Sequence, residues 1–499
     1  MSLTSEALRL RNSGTLLLQR RLFLAARDLF SQWLSLVEAS GDPALVIPAL
    51  NALTAVACCR GDLEAASSYL NTALPLTADP SAPSRCVSQV YLNLVKVYTD
   101  MGRLADALQF AERAAHRLAD ADPFLNKTYW LHLSNLHWRR HEWTEALNSS
   151  DRAYALSEAT GDRSAAAMAL VNRGIAQLEL GYYQEAEEDL TLAQKTGLRE
   201  GAAQAYAHAE LGRLHFIQGD GSKALACGRE ALDTLLTGTA VLDKEEVARV
   251  SRLFGTILAQ AGQRNLALKY LNRAAAYFSQ LGLSTEWRRC TDAIAQALAM
   301  PPQAGRTELF REIHRLDFLT AVLDLTDDLE CVDPYLRRRA ERVALLATIL
   351  GEEVGLPKGE LVTLNHAARL ADVGMVAVEA ELLHREGELS APELSRVAAH
   401  ASIGEEMVRP YGLEPLGLAA IRHHHERYDG LGYPDGLEGE AIPPLARIIA
   451  LADCYDAMTS DRNYRKALSH ARAMEELRAM AGKKLDPTLV DRFEHLHAV

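Results

Sequence analysis

Small apolar residues recur at intervals of about forty positions through the first 280 residues of the chain. Seven segments can be aligned on an alanine, namely Ala26, Ala66, Ala107, Ala146, Ala186, Ala224 and Ala267. In six of the seven, another alanine follows seven positions later, and this spacing is typical of a helix face that packs closely against a neighbour. Five residues before most of these alanines stands a glycine, whereas Arg21 and His141 occupy the position in the other two segments. The pattern predicts seven helix-turn-helix units.

Glycines within the preceding predicted helix strengthen this interpretation. Gly14, Gly174, Gly212 and Gly255 each lie twelve residues before an aligned alanine and predict a close approach between two helices. The pattern resembles tetratricopeptide repeats, which stack into a superhelix whose concave face commonly binds a peptide or a protein segment. Stacking alone explains the small residues, so the sequence identifies neither the binding face nor the partner.

The repeats are predicted to end near Ala299, because Met300-Pro301-Pro302-Gln303-Ala304-Gly305 interrupts helical periodicity. We therefore expect a repeat array over residues 1–299, a linker over 300–314 and a second domain over 315–499. The apolar periodicity of Thr307–Leu329 predicts a helix that connects the two.

Composition restricts the classes of partner. The 499 residues carry 53 basic and 66 acidic side chains, so the net charge of −13 disfavours nonspecific binding to DNA. The seven cysteines include no CxxC pair, which indicates a reducing compartment. The sequence also shows neither a signal peptide nor a credible membrane span. We expect a cytoplasmic protein without DNA or membrane partners.

The C-terminal region contains the string His424-His425-Glu426-Arg427-Tyr428-Asp429-Gly430-Leu431-Gly432-Tyr433-Pro434. It places two metal-ligating imidazoles beside a glycine-rich loop that can approach a ligand closely. The string resembles the signature of the HD-GYP family of bacterial metal-dependent phosphohydrolases, which act on cyclic di-GMP. Further blocks in the family order extend the resemblance from about Leu316 to the C-terminus. The whole chain is therefore expected to be all-α, a tetratricopeptide-type array followed by a helical HD-GYP-type domain.

The resemblance also implies a set of metal ligands. Asp372, His400, His424 and His425 would surround one ion, and Asp453 would help to hold a second one together with Asp372. Asp372, His424 and His425 would be catalytic. However, Arg339, Ala371 and Met375 stand where the family has histidine, histidine and lysine. We expect at most one divalent ion per chain, iron or manganese by family resemblance.

Arg339 is the most informative of these replacements. A guanidinium has five donors and no lone pair, so it cannot ligate a cation. It can instead supply positive charge itself, and we hypothesise that Arg339 pairs with Asp372 and Asp453 in place of the missing metal.

The resemblance assigns nucleotide contacts to Tyr433 and Arg462, and Arg465 stands where some members have lysine. Both arginines lie three apart on a predicted helix and can face the same phosphate. An ordinary surface ion-pair cluster is the alternative for the segment 460–466.

Three functions remain open at this point. The first is a cyclic di-GMP receptor or protein-interaction regulator with impaired hydrolysis, and it is the one we favour. The second is an active metal-dependent cyclic di-GMP phosphodiesterase with a reduced or substituted metal site. In the third, the C-terminal domain is a scaffold and the repeats bind the partner. The oligomeric state is also left open, with a homodimer as one option.

Overall fold

The computed structural model of this chain describes residues 3–118, 122–196, 202–237, 244–281, 283–299, 322, 325, 339–379, 382, 390–460 and 466–497. All regular structure in these ranges is helical apart from two isolated β-bridges, Asp429 with Glu438 and Ala481 with Leu485. The predicted all-α class is therefore confirmed. The predicted linker lies outside the described residues, as does the predicted connecting helix apart from Val322 and Leu325.

Consecutive helices of the N-terminal region form hairpins. Within the described ranges up to residue 299 they are α1 (Leu3–Gln19), α2 (Phe23–Glu38), α3 (Pro43–Cys59), α4 (Leu63–Leu76), α5 (Ser84–Asp100), α6 (Leu104–Leu118), α7 (Pro123–Arg139), α8 (Trp143–Ala159), α9 (Arg163–Leu180), α10 (Tyr183–Thr196), α11 (Ala202–Ile217), α12 (Gly221–Thr237), α13 (Lys244–Gln260), α14 (Arg264–Gln280) and α15 (Ser284–Ala299). The first fourteen pair into the seven predicted units. Each aligned alanine lies in the second helix of its unit and is at most 1% exposed.

The turn inside each hairpin follows from one backbone conformation. Gly61 has a φ of 66°, and its N–H donates to Cys58 O while the N–H of Asp62 donates to Ala57 O. These two bonds satisfy carbonyls at the end of α3 in the manner of a Schellman motif. The Asp62 carboxylate then accepts from the N–H of Ala65 and caps α4.

The helices of a hairpin approach closely at the predicted glycines. A Cβ atom on Gly174 would lie 2.7 Å from Leu190 Cγ, and one on Gly255 would lie 2.5 Å from Leu271 Cγ. Gly14 faces the ring of Phe30 in the same way. The close approach predicted from these glycines is confirmed, because any larger residue would separate the helices.

The C-terminal region is a separate set of shorter helices. Its described members are α16 (Arg339–Glu353), α17 (Lys358–Leu370), α18 (Ala391–Ala398), α19 (His400–Val408), α20 (Pro415–His423), α21 (Pro444–Thr459), α22 (His470–Met480) and α23 (Pro487–His497). Three short 3-10 helices, Val373–Ala377, Arg409–Tyr411 and Gly439–Ala441, lie between them. Leu445, Ile449 and Ala452 of α21 are fully buried, so this helix lies in the core of the region.

The chain divides into two compact units, Met1–Thr15 with Leu29–Glu312, and Leu16–Asp28 with Ile313–Val499. This division differs from the predicted boundary by assigning Leu16–Asp28 to the second unit. Polar contacts connect Leu16–Asp28 to other residues of that unit. Arg20 donates to Leu496 O at 2.7 Å, and Asp28 Oδ2 accepts from the N–H of His470 at 2.9 Å.

Candidate metal centre

Helix ends bring four potential ligands together in the second unit. Asp372 follows the end of α17, His400 is the first residue of α19, and His424 and His425 follow the end of α20. Each of the four offers one ligand atom within 4.8 Å of those of the others. The predicted set Asp372, His400, His424 and His425 is thus a real cluster in space.

The four ligands can converge because Gly374 has no side chain. A Cβ atom on Gly374 would lie 2.1 Å from the carbonyl oxygen of His400 and 2.7 Å from the N–H nitrogen of Gly404. Only glycine permits so close a contact between the segment after Asp372 and the start of α19.

Three of the ligand atoms form a compact triangle. His400 Nε2 lies 3.4 Å from His424 Nε2, and Asp372 Oδ1 lies 3.6 Å from the first nitrogen and 3.7 Å from the second. Ligands bonded at about 2.1 Å to a tetrahedral ion are separated by about 3.4 Å. The triangle therefore has the dimensions of one face of a metal coordination shell.

Backbone hydrogen bonds fix the tautomer of two of the imidazoles. The Nδ1 atoms of His400 and His424 each lie 2.6 Å from a carbonyl oxygen, that of Val397 and that of Ile421. A carbonyl only accepts, so each Nδ1 carries the proton and each Nε2 points its lone pair into the cluster.

The three rings are neutral at physiological pH. Burial, followed by the neighbouring His424, lowers the pKa of His400 to about 3. Burial also lowers the pKa of His424, and it lowers the pKa of His425 well below its usual value. Neutral imidazole is the form that binds a metal.

This donor set fits a divalent cation. Asp372 Oδ1 is buried and, in the described part of the chain, has no hydrogen-bond partner, although it faces two nitrogen lone pairs. Three electron-rich atoms directed at one another are stable only around positive charge. Asp372, His400, His424 and His425 would hold the ion, and their nitrogen and oxygen donors suit several divalent metals.

Arg339 supplies positive charge on the other side of Asp372. Its Nη1 donates to Asp372 Oδ2 and its Nη2 to Asp453 Oδ1, so one guanidinium bridges the two carboxylates. The Arg339 side chain is only 13% exposed. The pairing required by the sequence hypothesis is present, and Asp453 contacts Arg339 rather than joining the four-residue cluster.

A small cavity marks the position where the family would have a second histidine. It has a volume of about 10 Å³ and is lined by Ala371, Arg339, Asp372 and Asp453 among others. This volume admits at most about one water molecule. Arg339 thus occupies the side of Asp372 on which a second ion would be expected.

The glycine-rich loop is braced from inside by Glu426. This carboxylate is fully buried and accepts from the N–H of Asp435 at 2.7 Å and from that of Leu437 at 3.1 Å. A Cβ atom on Gly432 would lie 2.3 Å from the backbone nitrogen of Arg427, so the loop folds back on its own start. Glu426 had no role in the sequence analysis, because no local pattern indicates that this acidic residue is buried.

The hydrogen bonds to Glu426 hold the loop so that Tyr433 lies beside the four-residue cluster. Its ring centroid lies 5.0 Å from that of His425 and 6.4 Å from that of His400. Burial and the nearby Asp453 raise the pKa of Tyr433, so its hydroxyl remains a hydrogen-bond donor at neutral pH. Arg462 and Arg465, the other predicted nucleotide contacts, lie outside the described residues.

His423 had no role in the sequence analysis either. It is the last residue of α20, and its side chain is only 12% exposed, with Nδ1 3.6 Å from the buried Glu426 Oε1.

Comparison with known proteins identifies relatives of this region. Residues 325–489 match the family model described as "HD domain". This part of the chain therefore contains an HD domain. The predicted resemblance is thereby confirmed for the HD domain, whereas the roles of individual site residues stay predictions.

Several curated relatives share this domain. The chain is 40% identical over 154 residues to "Cyclic di-GMP phosphodiesterase response regulator RpfG" of Xanthomonas campestris, which covers 30% of this chain and 40% of the relative. It is 33% identical over 189 residues to "Cyclic di-GMP phosphodiesterase" of Thermotoga maritima, covering 37% of this chain and 51% of that protein. A third relative, "3'3'-cGAMP-specific phosphodiesterase 2" of Vibrio cholerae, is 33% identical over 172 residues, or 34% of this chain and 33% of its own length. The chain thus spans about half or less of the length of these relatives.

Solved structures similar to this chain include a tetratricopeptide repeat protein from Parabacteroides merdae. It is 14% identical and covers 59% of this chain and 99% of its own, with a TM-score of 0.37. Another is a protein from Bdellovibrio bacteriovorus titled "Bd1817, a HDG"Y"P protein", which is 16% identical and covers 56% of this chain and 79% of its own, with a TM-score of 0.28. Among the described helices, none combines the length and apolar character needed to cross a bilayer.

Proposed function

We propose that the HD domain of this protein is a cyclic di-GMP receptor of the HD-GYP type in which hydrolysis is impaired. Asp372, His400, His424 and His425 would hold one divalent ion, and the nucleotide would lie against Tyr433. The observation that supports this proposal best is Arg339, whose guanidinium is bonded to both Asp372 and Asp453.

Arg339 provides charge without the chemistry of a metal. In two-metal hydrolases the paired ions acidify a water molecule and stabilise the attacking and leaving oxygens. Arg339 orients the two carboxylates and neutralises part of their charge. A guanidinium has no empty orbital that accepts a lone pair from a water oxygen, so it cannot acidify the water as a metal ion does. Losing one ion typically raises the barrier by several kcal/mol, and about 1.4 kcal/mol corresponds to a tenfold slower reaction. Binding is affected less, because it needs charge and donors rather than hydroxide.

The charge balance predicts that nucleotide binding depends on the metal. Arg339 with Asp372 and Asp453 sums to +1 − 2 = −1, which repels a phosphodiester. A divalent ion in the neighbouring cluster changes the sum to −1 + 2 = +1. The Tyr433 hydroxyl, and Arg462 and Arg465 by family resemblance, would then donate to the phosphates.

The first experiment measures binding and turnover on one metal-loaded sample. We expect isothermal titration to show cyclic di-GMP binding that is lost with a chelator. Elemental analysis of the unaltered protein beside His424→Ala should show at most one ion per chain that depends on the four-residue cluster, and we expect no hydrolysis. Replacing Arg462 and Arg465 with alanine should abolish binding, whereas the matched pair Arg472→Ala and Arg492→Ala, both exposed, should not. If the variant with Arg462→Ala and Arg465→Ala binds cyclic di-GMP with unchanged affinity, the receptor assignment is contradicted.

A hydrolase with one ion is the second candidate, and the complete four-residue cluster favours it. If turnover is detected, His424→Ala should eliminate it, because His424 Nε2 lies 3.4 Å from His400 Nε2 and 3.7 Å from Asp372 Oδ1 in the cluster. Turnover that survives this change belongs to a contaminant.

Restoring the lost ligands tests the role of Arg339. The double variant Arg339→His with Ala371→His should raise the metal content by about one ion per chain, because the small cavity between Asp372 and Asp453 would gain two imidazoles. A folded double variant with unchanged metal content shows that Arg339 does not stand in the place of an ion.

We also propose that the repeat array binds a peptide segment of a partner protein. A cavity of about 500 Å³ lies within the first unit, and its walls include Trp138 of α7, Glu179 of α9, Arg213 of α11, Arg249 of α13 and Glu286 of α15. These are the first helices of successive hairpins or, for α15, the helix that follows the last one.

The cavity walls combine aromatic and charged groups. The Arg249 guanidinium lies 4.1 Å from the Trp138 ring centroid, and Arg213 donates to Glu179 at 2.5 Å. Such a surface offers stacking to side chains and both donors and acceptors to a peptide backbone. A photo-crosslinker at Leu253, which lines the cavity, should capture the partner, whereas one at the exposed Leu192 of α10 should not. Equal capture from both positions would argue against this cavity.

A further inference from the structure

His423, Glu426 and Asp435 form a second group of potential metal ligands at the edge of the glycine-rich loop. Each offers one ligand atom within 4.8 Å of the other two. His423 Nδ1 lies 3.6 Å from Glu426 Oε1 and 3.7 Å from Asp435 Oδ2. These separations are too long for hydrogen bonds, but they are close to the spacing of about 3.4 Å between ligands of a tetrahedral ion.

The imidazole of this group is poised for a ligand. His423 Nδ1 is buried and, within the described part of the chain, has no hydrogen-bond partner. It faces two carboxylate oxygens at distances too long for a hydrogen bond, so the tautomer with its proton on Nε2 offers a lone pair that a cation between the three atoms would accept.

Both carboxylates keep lone pairs for an ion. Glu426 Oε1 uses one to accept from the N–H of Asp435, and Arg422 donates to Asp435 Oδ1 and Oδ2 at 2.9 and 2.8 Å. This bond to Arg422 lowers the pKa of Asp435, which is therefore ionised at neutral pH. Two oxygens carry about four lone-pair sites, so neither carboxylate is saturated.

We propose that His423, Glu426 and Asp435 bind a divalent cation of the zinc class, which fastens the end of α20 to the far limb of the glycine-rich loop. One imidazole nitrogen and two carboxylate oxygens suit Zn²⁺, with a water molecule in the fourth position. The ion links the loop start at Glu426 to Asp435, two residues beyond Tyr433, and so fixes the loop that carries Tyr433. This site shares no residue with the four-residue cluster and does not depend on the proposed nucleotide function.

The test isolates this site in the full-length chain. In a background in which His400→Ala and His424→Ala disable the four-residue cluster, equilibrium dialysis with Co²⁺ should show about one bound ion per chain and a visible spectrum typical of nitrogen and oxygen ligands. Adding His423→Ala should weaken Co²⁺ binding at least tenfold, whereas adding His495→Ala, at an exposed histidine, should leave it unchanged. Absent binding in the background, or binding that survives His423→Ala, overturns the proposal.

A second measurement tests the proposal if the double variant His400→Ala with His424→Ala does not fold. In the otherwise unaltered chain, His423→Ala should reduce the Zn²⁺ content by about one ion, and Zn²⁺ should slow hydrogen exchange at the Asp435 and Leu437 amides only when His423 is present. An unchanged Zn²⁺ content would overturn the proposal.

Discussion

Two turns of the repeat array carry a side chain where the other turns carry glycine. Arg21 and His141 both have a φ of 61°, in the left-handed region, as the aligned glycines do. A residue with a Cβ atom pays about 1 kcal/mol for this conformation. The fold therefore imposes the turn at these positions against the local preference.

We predict that His141→Gly stabilises the array by about 0.5–1 kcal/mol, because glycine adopts a φ of 61° without steric cost. Chemical denaturation followed by circular dichroism measures the change. The matched control is Gly181→Ala, at a φ of 83° with open space around the added methyl group, which should lose about as much stability. Destabilisation by His141→Gly would mean that contacts of the imidazole outweigh the backbone cost.

Gly432 is the residue on which the loop beside the metal cluster depends most. We predict that Gly432→Ala displaces the loop and weakens cyclic di-GMP binding at least tenfold, because its Cβ atom would lie 2.3 Å from Arg427 N. Titration calorimetry provides the measurement. Gly436→Ala is the control, since its nearest neighbour lies at 3.7 Å and only its φ of 67° is unfavourable. Equal effects of the two variants would show that backbone strain rather than contact is decisive.

For individual residues, the sequence predicted which charged groups form ion pairs better than it predicted which polar side chains are buried. Arginine in place of a histidine ligand required a carboxylate partner, and Arg339 has two. His423 and Glu426 could not be interpreted in the same way, because their burial depends on a loop that returns to them from residues 435 and 437.

At the scale of helices, the repeat array is governed by a few close contacts. We predict that Gly255→Ala costs about 1–3 kcal/mol, because the new methyl group would overlap Leu271 and lie 3.0 Å from Ala267 O. Denaturant unfolding measures this loss. Gly221→Ala in α12 is the matched control, since its nearest neighbour lies at 3.7 Å, and it should be neutral or slightly stabilising. A neutral Gly255→Ala would show that α13 and α14 can separate without cost.

His132 joins α7 to α5, and we expect it to make the stability of the array depend on pH. Its Nδ1 lies 3.1 Å from Leu92 O, and burial, followed by the charge of Lys96, lowers its pKa to about 4. The unfolded chain takes up a proton near pH 6.5 while the folded chain does not, so stability falls as the pH drops from about 6.5 to 4 and is constant below that.

We predict a loss of about 2 kcal/mol over this range, after allowance for the partial exposure of His132. Hydrogen exchange of the α5 and α7 amides at about pH 7 and pH 4, corrected for intrinsic rates, measures it. His132→Asn keeps a donor for Leu92 O and should remove most of the dependence. The exposed His116→Asn should not. If His132→Asn retains the full slope, another group is responsible.

The helices of the array were predictable because their signal is repeated. Each aligned alanine is buried for the same packing reason, so seven weak patterns add up to one strong one. The HD domain offers no such repetition, and its site assembles from the ends of α17, α19 and α20. The family resemblance supplied that assembly, since periodicity alone does not bring distant helix ends together.

At the scale of the whole molecule, the chain contains two kinds of architecture. The first unit contains most of the repeats, whereas the second combines the HD domain with Leu16–Asp28. The sequence placed this segment with the repeats on the basis of its period. In the second unit the segment makes polar contacts such as that of Arg20 with Leu496 O, which no local pattern reveals.

Arg339 is attached to the chain, unlike an ion. A covalently held cation cannot dissociate, exchange for another element or change oxidation state. The charge between Asp372 and Asp453 is therefore the same in metal-starved and metal-replete cells, and under oxidising as well as reducing conditions. This half of the site is thus independent of metal supply, and only the half formed by the three imidazoles can respond to it.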